Sequence, residues 1–596
     1  MFGADFNQDS NLSKISQQRT WLKLLYYDEK NQESDVIAND YFLSTQGRHD
    51  PLEELKATIE AYYKPFGIDP NTHAMCQFPA RYSWLSRKLE LKGYQPVNPK
   101  CVNLRKSISD QSVDSISLMF VGGYLSNPAS SFGHSFIKLN NHEQTKNNLF
   151  DLSISYGADV PENENMFAYM YKGLFGKYTA AFKDKYFFTQ DLVYSNNEFR
   201  DIWEYELDIP KEKVSMFQFH LWEILGKNFT YLFLNKNCGY EVAKMLEIIL
   251  DQDIAESSKV WFAPVESINT LAKIDSQNGI IKQRIYHPSE QKKVYKKYQE
   301  LSEAEKVTSA YLIEKGMEDS NQTYKTLNTT EKTNVINFVI MYYNYLLIKD
   351  NSIQEYERLK KKALIERFSL PIQRETELKF PDVLAPDYND KPIIFSISHN
   401  TSKKESGYYS MGFTPYAITS TGNNNLEGDE LAVLNTEIGF SEEKLFLKDF
   451  NLISIKQFNR YSIPFEDEMK LSWQLEISTK NVDIKNERYD TFIKAGIGNS
   501  WMPTDNLLIY AMLDASGHSH YQSLIVSPEI GMRLDIGVAK VMAAFEDGYD
   551  LAKMRRYHAT KITSNINIGK DMALFLQYED QKDECNKLMA GMRFFF

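Results

Sequence analysis

Residues 469–478 read MKLSWQLEIS, with Met469, Leu471, Trp473, Leu475 and Ile477 alternating against Lys470, Ser472, Gln474, Glu476 and Ser478. A period of two puts the apolar set on one face of an extended strand and the polar set on the other. Similar runs follow at YDTFIKAGIG (489–498), LLIYAMLD (507–514), LIVSPEIGMRLDI (524–536), KVMAAFED (540–547), TKITSNINI (560–568) and MALFLQYED (572–580), with turn signals such as PTDN and GKD between them. About twelve strands fit between 391 and 596, an even number that suits an up-and-down meander. A soluble β-sandwich alternates too. Against it stand the number of consecutive strands, a polar second face suited to a wet lumen, and strand-terminal aromatics suited to a membrane girdle.

The last stretch, LMAGMRFFF (588–596), places Leu588, Ala590, Met592, Phe594 and Phe596 on one face. An alternating strand ending on Phe resembles the assembly signal of bacterial outer-membrane barrels. The expectation for 386–596 is therefore an outer-membrane β-barrel. Met1 is followed by polar FGADFNQDSN, not by a charged and then apolar leader. A barrel protein thus implies a signal peptide absent from this form of the chain, the other option being a cytosolic protein.

Upstream of the Pro-rich KFPDVLAPDYNDKP (379–392) the texture is helical: SEQKKVYKKYQEL, EAEKVTSAYLIEKG, EKTNVINFVIMYYNYLLIKD and IQEYERLKKKALIERF are amphipathic or apolar over several turns. They form an expected connector over 263–385. Residues 1–110 also read as mostly helical, as in DPLEELKATIEAYYKPFG with Leu52, Leu55, Ile59 and Tyr62 at helical spacing. Between them, 111–262 mixes strands (SISLMFVGGYL, HSFIKLN, LFDLSISYGA, DIWEYELDI) with helices (FQFHLWEILGKNF, CGYEVAKMLEIILDQ). The fold class is α+β, in roughly four domains for a chain too long for one core.

The net charge of −12 argues against a general nucleic-acid partner, and no run of about eighteen apolar residues offers a transmembrane helix. Four cysteines, none in a CxxC pair, and ten scattered histidines give no metal-ligand spacing, so neither metal nor cofactor is expected. Cys76 and Cys101 flank the helical RYSWLSRKLELKG and are either a disulfide formed in an oxidising compartment or two free thiols.

Cys238 is the residue with a chemical setting. NKNCG breaks the chain before a helix whose apolar face is Val242, Met245, Leu246 and Ile249. A cysteine at a helix start has unpaired backbone N–H groups to stabilise its thiolate and to line an oxyanion hole. A lone cysteine is otherwise a small buried hydrophobe. His134 opens the strand HSFIKLN after the turn NPASS, and a His on a strand facing a Cys at a helix start is the papain-like arrangement, with His first in the chain. If the hairpin folds about NHEQ, position 134 lies opposite 153 to 155. Ser155, Ser153 or Asp151 would then orient the imidazole, Ser155 being the choice carried forward. Tyr171, Phe175 and Tyr178 around GLFGKY offer an apolar acyl groove or ordinary packing. Arg200 offers a contact for a lipid phosphate or a partner for a neighbouring acid.

The succession FVGGYLSNPASSFGHSFIKL, ISYGA, YKGLFGKY, NNEFRDIWEYEL and YLFLNKNCGYEVAKMLE resembles the Lnb-type periplasmic domain family, with similar flanks at CQFPARYSWL and YHPSEQKKV, over roughly residues 20–300. The family's named member is a lipoprotein N-acyltransferase. The resemblance implies a permuted papain-like thiol fold with His134 and Cys238 as the catalytic pair, phospholipid and lipoprotein as substrates, and a thiol domain lying in the periplasm, while the expected barrel adds the outer membrane as partner. More distantly, the His-then-Cys order is similar to lecithin retinol acyltransferase. The barrel departs from the family's named enzyme, leaving the acceptor open. A cell-wall peptide hydrolase or amidase, and an inactive barrel-anchored scaffold, are the competing expectations.

Overall fold

The computed structural model describes residues 6–28, 32–90, 95, 97–123, 125, 131–141, 148–161, 164–165, 168, 171–173, 175–255, 261–316, 322–350, 352–373, 378–380, 383–402, 407–423, 428–441, 444–459, 461, 463, 471–582 and 586–596. Cys585, Met469 and Lys470 lie outside them. Two compact units divide the chain, Met1–Pro288 and Ser289–Phe596.

The first unit is built on a seven-stranded antiparallel sheet: β1 (Ser115–Val121), β2 (His134–Asn140), β3 (Leu152–Ala158), β4 (Thr179–Tyr186), β5 (Ile202–Leu207), β6 (Phe229–Thr230) and β7 (Ile281–His287), in the order β6-β4-β3-β2-β1-β5-β7. Every residue of β1 and all but the first of β2 are buried, because helices cover the sheet. Within that core Lys138 Nζ reaches Glu204 Oε2 at 2.9 Å, and His287 Nε2 reaches the same oxygen at 2.9 Å. The boundary expected at 262 falls too early. Helix Pro264–Asn278 and β7 complete this sheet, since β7 pairs with β5 from Ile202↔His287 to Leu207↔Ile281.

The N-terminal helices belong to the same unit. Helix α1 (Pro51–Tyr62) is capped by Asp50, whose side chain accepts from the N–H groups of Leu52 and Glu53. Helix α2 (Pro79–Lys88) carries Arg81, fully buried between the rings of Tyr41 and Phe78 and 2.8 Å from Glu54. Glu223 of helix α3 (Lys211–Ile224) accepts the N–H groups of Ala80 and Arg81, tying α2 to the helices of the sheet. Met216 and Phe219 of α3 also share one apolar cluster with Trp21, Leu55 and Trp84. Cys76 and Cys101 form a disulfide with a Cα–Cα distance of 5.2 Å, packed among Leu104, Phe66, Val97 and Ile108.

The second unit opens with helices Glu290–Gln299, Glu303–Lys315, Thr329–Lys349 and Gln354–Ser369, where helical periodicity placed them, and a short helix, Gln322–Thr326, precedes the Thr329 helix. Capping boxes at Ser302/Glu305 and Asn328/Glu331 start the second and third. The barrel follows: β8 (Ile394–Ser402), β9 (Tyr408–Thr414, continued by Tyr416–Ile418), β10 (Glu430–Phe440), β11 (Leu445–Gln457), β12 (Ser472–Asp483), β13 (Arg488–Thr504), β14 (Leu507–His518), β15 (Ser523–Ile536), β16 (Ala539–Asp550), β17 (Arg555–Ile568), β18 (Met572–Gln581) and β19 (Lys587–Phe595). Each pairs antiparallel with the next, and β19 closes on β8 from Ile394↔Phe595 to Ser402↔Lys587. The twelve strands leave no free edge.

Polarity is inverted relative to a soluble protein. Outward-facing Ile493, Leu513 and Ile530 are 55–60 % exposed, while inward-facing Asp514 and Glu529 are 2 % exposed. The lumen charges satisfy one another: Lys494 lies 3.0 Å from Asp514 and 2.8 Å from Glu529. A closed antiparallel barrel with a greasy exterior and a polar interior satisfies every backbone group in a bilayer and is the outer-membrane solution.

Candidate active site

Asn237 caps helix α4 (Cys238–Leu246): its side chain accepts from Tyr240 N–H and donates to the carbonyls of Phe233 and Phe262. Cys238 is thereby the first residue of the helix, as its flanks predict, and Val242, Met245, Leu246 and Ile249 are buried beneath it. Gly239 is required next, because a Cβ there would lie 2.6 Å from Pro264 Cα. Helix α4 packs on β2 and β3.

That packing brings Cys238 to the start of β2. The half-buried thiol is pushed up by burial. The backbone N–H groups of Ser135 and Gly239, the charge of Arg200, and the cysteine's own N–H pull it back down. Ser135 directly follows His134, so the sulfur sits against the backbone that carries the imidazole. Burial, and secondarily Arg200, hold His134 down to about 3, leaving the ring neutral at neutral pH. It is flanked by Phe136 (6.3 Å between centroids) and Tyr194 (5.5 Å). Its buried Nε2 has no hydrogen-bond partner among the described residues.

The expected strand pairing of His134 is corrected. Strands β2 and β3 pair as Phe136↔Ser155, Ile137↔Ile154, Lys138↔Ser153 and Leu139↔Leu152, so Ser155 stands opposite Phe136, not His134. Its hydroxyl accepts from Gln190 Nε2 at 3.3 Å. Ser153 donates to the Lys185 carbonyl, and Asp151 accepts from Asn141 N–H and lies 3.8 Å from Lys138. The imidazole is instead bordered by Tyr194, which sequence reading missed. Tyr194 lies on a widened π-type turn, Leu192–Asn197, that continues helix Phe187–Asp191. Such turns concentrate at functional sites and break the 3.6-residue period by which helix faces are found. Burial raises the Tyr194 phenol, and the neighbouring Cys238 raises it further.

Arg200 is both paired and placed at the site. Nη1 donates to Glu198 at 2.7 Å and Nε to the Gly122 carbonyl at 2.7 Å. Nη2 is buried without a hydrogen-bond partner among the described residues, and the guanidinium lies 5.3 Å from the Tyr194 ring. The groove residues separate. Tyr171 and Phe175 pair with each other at 4.8 Å and are about 60 % exposed, whereas Tyr178 is buried and donates to Glu164 at 3.1 Å. Gly173 and Gly176 nonetheless lie against the chain segment that precedes Cys238: Phe233 N–H donates to the Gly173 carbonyl, and a Cβ on Gly176 would meet Leu232 at 3.2 Å.

Fold and site define an outer-membrane β-barrel protein whose N-terminal unit carries a Cys–His pair on a helix start and a strand start. Residues 105–273 match the family model described as the Lnb N-terminal periplasmic domain, the likeness read from the motifs. Residues 13–88 and 421–595 match models described as domains of unknown function (DUF7843 and DUF7840). No curated protein matches the chain. Among solved structures, the KdgM porin (8 % identity, TM-score 0.22) and the NanC porin (9 %, 0.22) are each similar to 34 % of this chain over 99 % and 100 % of their own lengths. LpxR from Salmonella typhimurium (11 %, 0.21) is similar over 34 % of this chain and all of its own.

Proposed function

We propose that this protein is a membrane-tethered thiol acyltransferase that moves an acyl chain from a phospholipid to an amine, such as that of a lipoprotein, through a thioester on Cys238. The observation that carries the reading is the meeting of the Cys238 sulfur with the N–H groups of Ser135 and Gly239 beside the neutral ring of His134. A neutral imidazole can accept a proton, and N–H groups converging on the sulfur lie where an oxyanion develops when that sulfur attacks a carbonyl.

In the first half, Cys238 Sγ bonds to the ester carbonyl carbon while His134 takes the thiol proton. The ester C–O bond breaks and the lysolipid oxygen leaves with that proton. In the second half, the acceptor amine attacks the thioester and the C–S bond breaks. His134 takes a proton from the amine and returns it to the Cys238 sulfur. Arg200 favours the thiolate through its charge and disfavours protonation of His134, so it tunes the pair without entering the reaction. The barrel supports a lipid donor, because it holds the chain where phospholipid is the solvent.

The test is incubation of full-length wild type and Cys238→Ala with acyl-labelled phospholipid, followed by addition of a lipopeptide with a free α-amine. A hydroxylamine-sensitive labelled band present only in the wild type, chased onto the lipopeptide, is expected. No band, with cleavage of cell-wall muropeptides, would replace acyl transfer by peptide hydrolysis.

A further inference from the structure

Ser516, His518 and Asp490 stand together inside the barrel and take no part in the chemistry of Cys238. Ser516 and His518 alternate along β14, so both project into the lumen with Asp514, Met512 and Tyr510. Asp490 projects to the same side from the neighbouring β13, where Phe492 pairs with His518 and Lys494 with Ser516. Ser516 Oγ lies 3.0 Å from His518 Nε2, and His518 Nδ1 lies 2.7 Å from Asp490 Oδ2. The other carboxylate oxygen accepts His520 N–H at 2.8 Å, and the Phe492 ring stacks on the imidazole at 5.2 Å and 19°. The carboxylate is thus fixed by backbone, and the imidazole by the carboxylate and a ring.

A hydroxyl, an imidazole and a carboxylate in this sequence of contacts have defined roles. The carboxylate keeps the imidazole proton on Nδ1, which leaves Nε2 free to accept from the hydroxyl. All three side chains line a lumen cavity of about 370 Å³ whose wall also carries Lys480, Lys494 and Lys561. That volume is within the range of small-molecule sites, and its polar wall excludes a long acyl chain. The site lies near the end where β13 begins and β14 finishes, opposite the end where Ile394 meets Phe595.

We propose that Ser516, His518 and Asp490 form a second hydrolytic site, a serine esterase for small polar acyl esters that enter the barrel lumen. Ser516 Oγ bonds to the ester carbonyl carbon as its proton passes to His518 Nε2. The ester C–O bond breaks, and the alcohol leaves with that proton. Water then attacks the acyl-serine, giving its proton to His518, and the carboxylic acid departs as the proton returns to Ser516.

The experiment uses the full-length Cys238→Ala protein in detergent, with a fluorophosphonate probe and p-nitrophenyl acetate, so that its failure would leave the Cys238 reading intact. Labelling that maps to Ser516, is lost in Ser516→Ala and falls about a hundredfold in rate in His518→Ala is expected, with acetate-ester hydrolysis falling in parallel. Heat-modifiable migration monitors barrel folding in each variant. Should either substitution disturb it, the near-isosteric Asp490→Asn is expected to slow labelling by at least about tenfold in a folded barrel. An unlabelled parent protein, or labelling that survives Ser516→Ala, would overturn the assignment.

Discussion

Removing the Cys76–Cys101 bridge is expected to lower the melting temperature of the N-terminal unit by about 6 °C. The two cysteines are 25 residues apart in sequence. Closing a loop of that length removes entropy from the unfolded chain equivalent to about 3.5 kcal/mol at 25 °C. Unfolding a unit spanning Met1–Pro288 releases roughly 0.6 kcal/mol per degree at about 2 cal/mol/K per residue, and the ratio gives the shift. Both sulfurs are buried, so the comparison should be a Cys76→Ala/Cys101→Ala double variant, with the reduced wild type as a second reference. The assay is thermal unfolding of the full chain in detergent, followed by near-UV circular dichroism of the stacked Trp21–Trp84 pair, 5.9 Å between centroids in the core of that unit. A shift below about 2 °C would refute the entropic reasoning. Maleimide labelling of both cysteines in unreduced protein would refute the bridge itself.

Three further outcomes follow from the site and the barrel. His134 is held at about 3 in the fold against 6.5 in an open chain, so the folded state binds fewer protons. Its contribution to stability is complete above pH 6.5 and is lost as pH falls towards 3, by about 1.4 kcal/mol per pH unit. Urea unfolding at pH 7.5 and 5 is expected to register that loss, and His134→Gln to flatten it. Arg200→Gln removes the cation that favours the Cys238 thiolate, so iodoacetamide labelling at pH 8 should slow about tenfold and its pH profile move upward; an unchanged profile would detach Arg200 from the thiol. Ile530→Arg, on the lipid-facing side at the middle of β15, should cost about 2–4 kcal/mol in a urea titration of heat-modifiable migration in lipid vesicles.

How far the residues disclose their fold depends on what constrains each element. Along β12 the alternation of Trp473, Leu475 and Ile477 against Ser472, Gln474 and Ser478 is visible because each face meets one uniform environment, lipid or lumen, and a four-residue turn joins β12 to β13. A period of two is then the whole constraint. The N-terminal sheet lacks that signal: β2 is buried on both faces after His134, so no alternation marks its phase against β3, and the pairing falls at Phe136↔Ser155. Cys238 was legible because a helix start leaves a local signature in NKNCG. Tyr194 was not, since its turn follows neither helical nor strand periodicity. The network of Glu54, Arg81 and Glu223 joins three distant segments, and β7 reaches back to β5 past three helices. Such non-local pairings leave no mark in any window of sequence, which is why helices 1–110 and the thiol domain read as separate units. The Ser516–His518–Asp490 chain was hidden similarly, as alternating polar residues of a lumen wall.

Acyl transfer through Cys238 is measured most simply by the intact mass of the protein after incubation with phospholipid of one defined acyl chain, with no acceptor present. A single added acyl group is expected, mapping to Cys238, released by hydroxylamine, absent in Cys238→Ala and strongly reduced in His134→Ala, with both variants retaining the near-UV signal of the N-terminal unit. An unmodified Cys238 in folded wild type, under conditions where iodoacetamide alkylates it, would exclude a thioester on this cysteine.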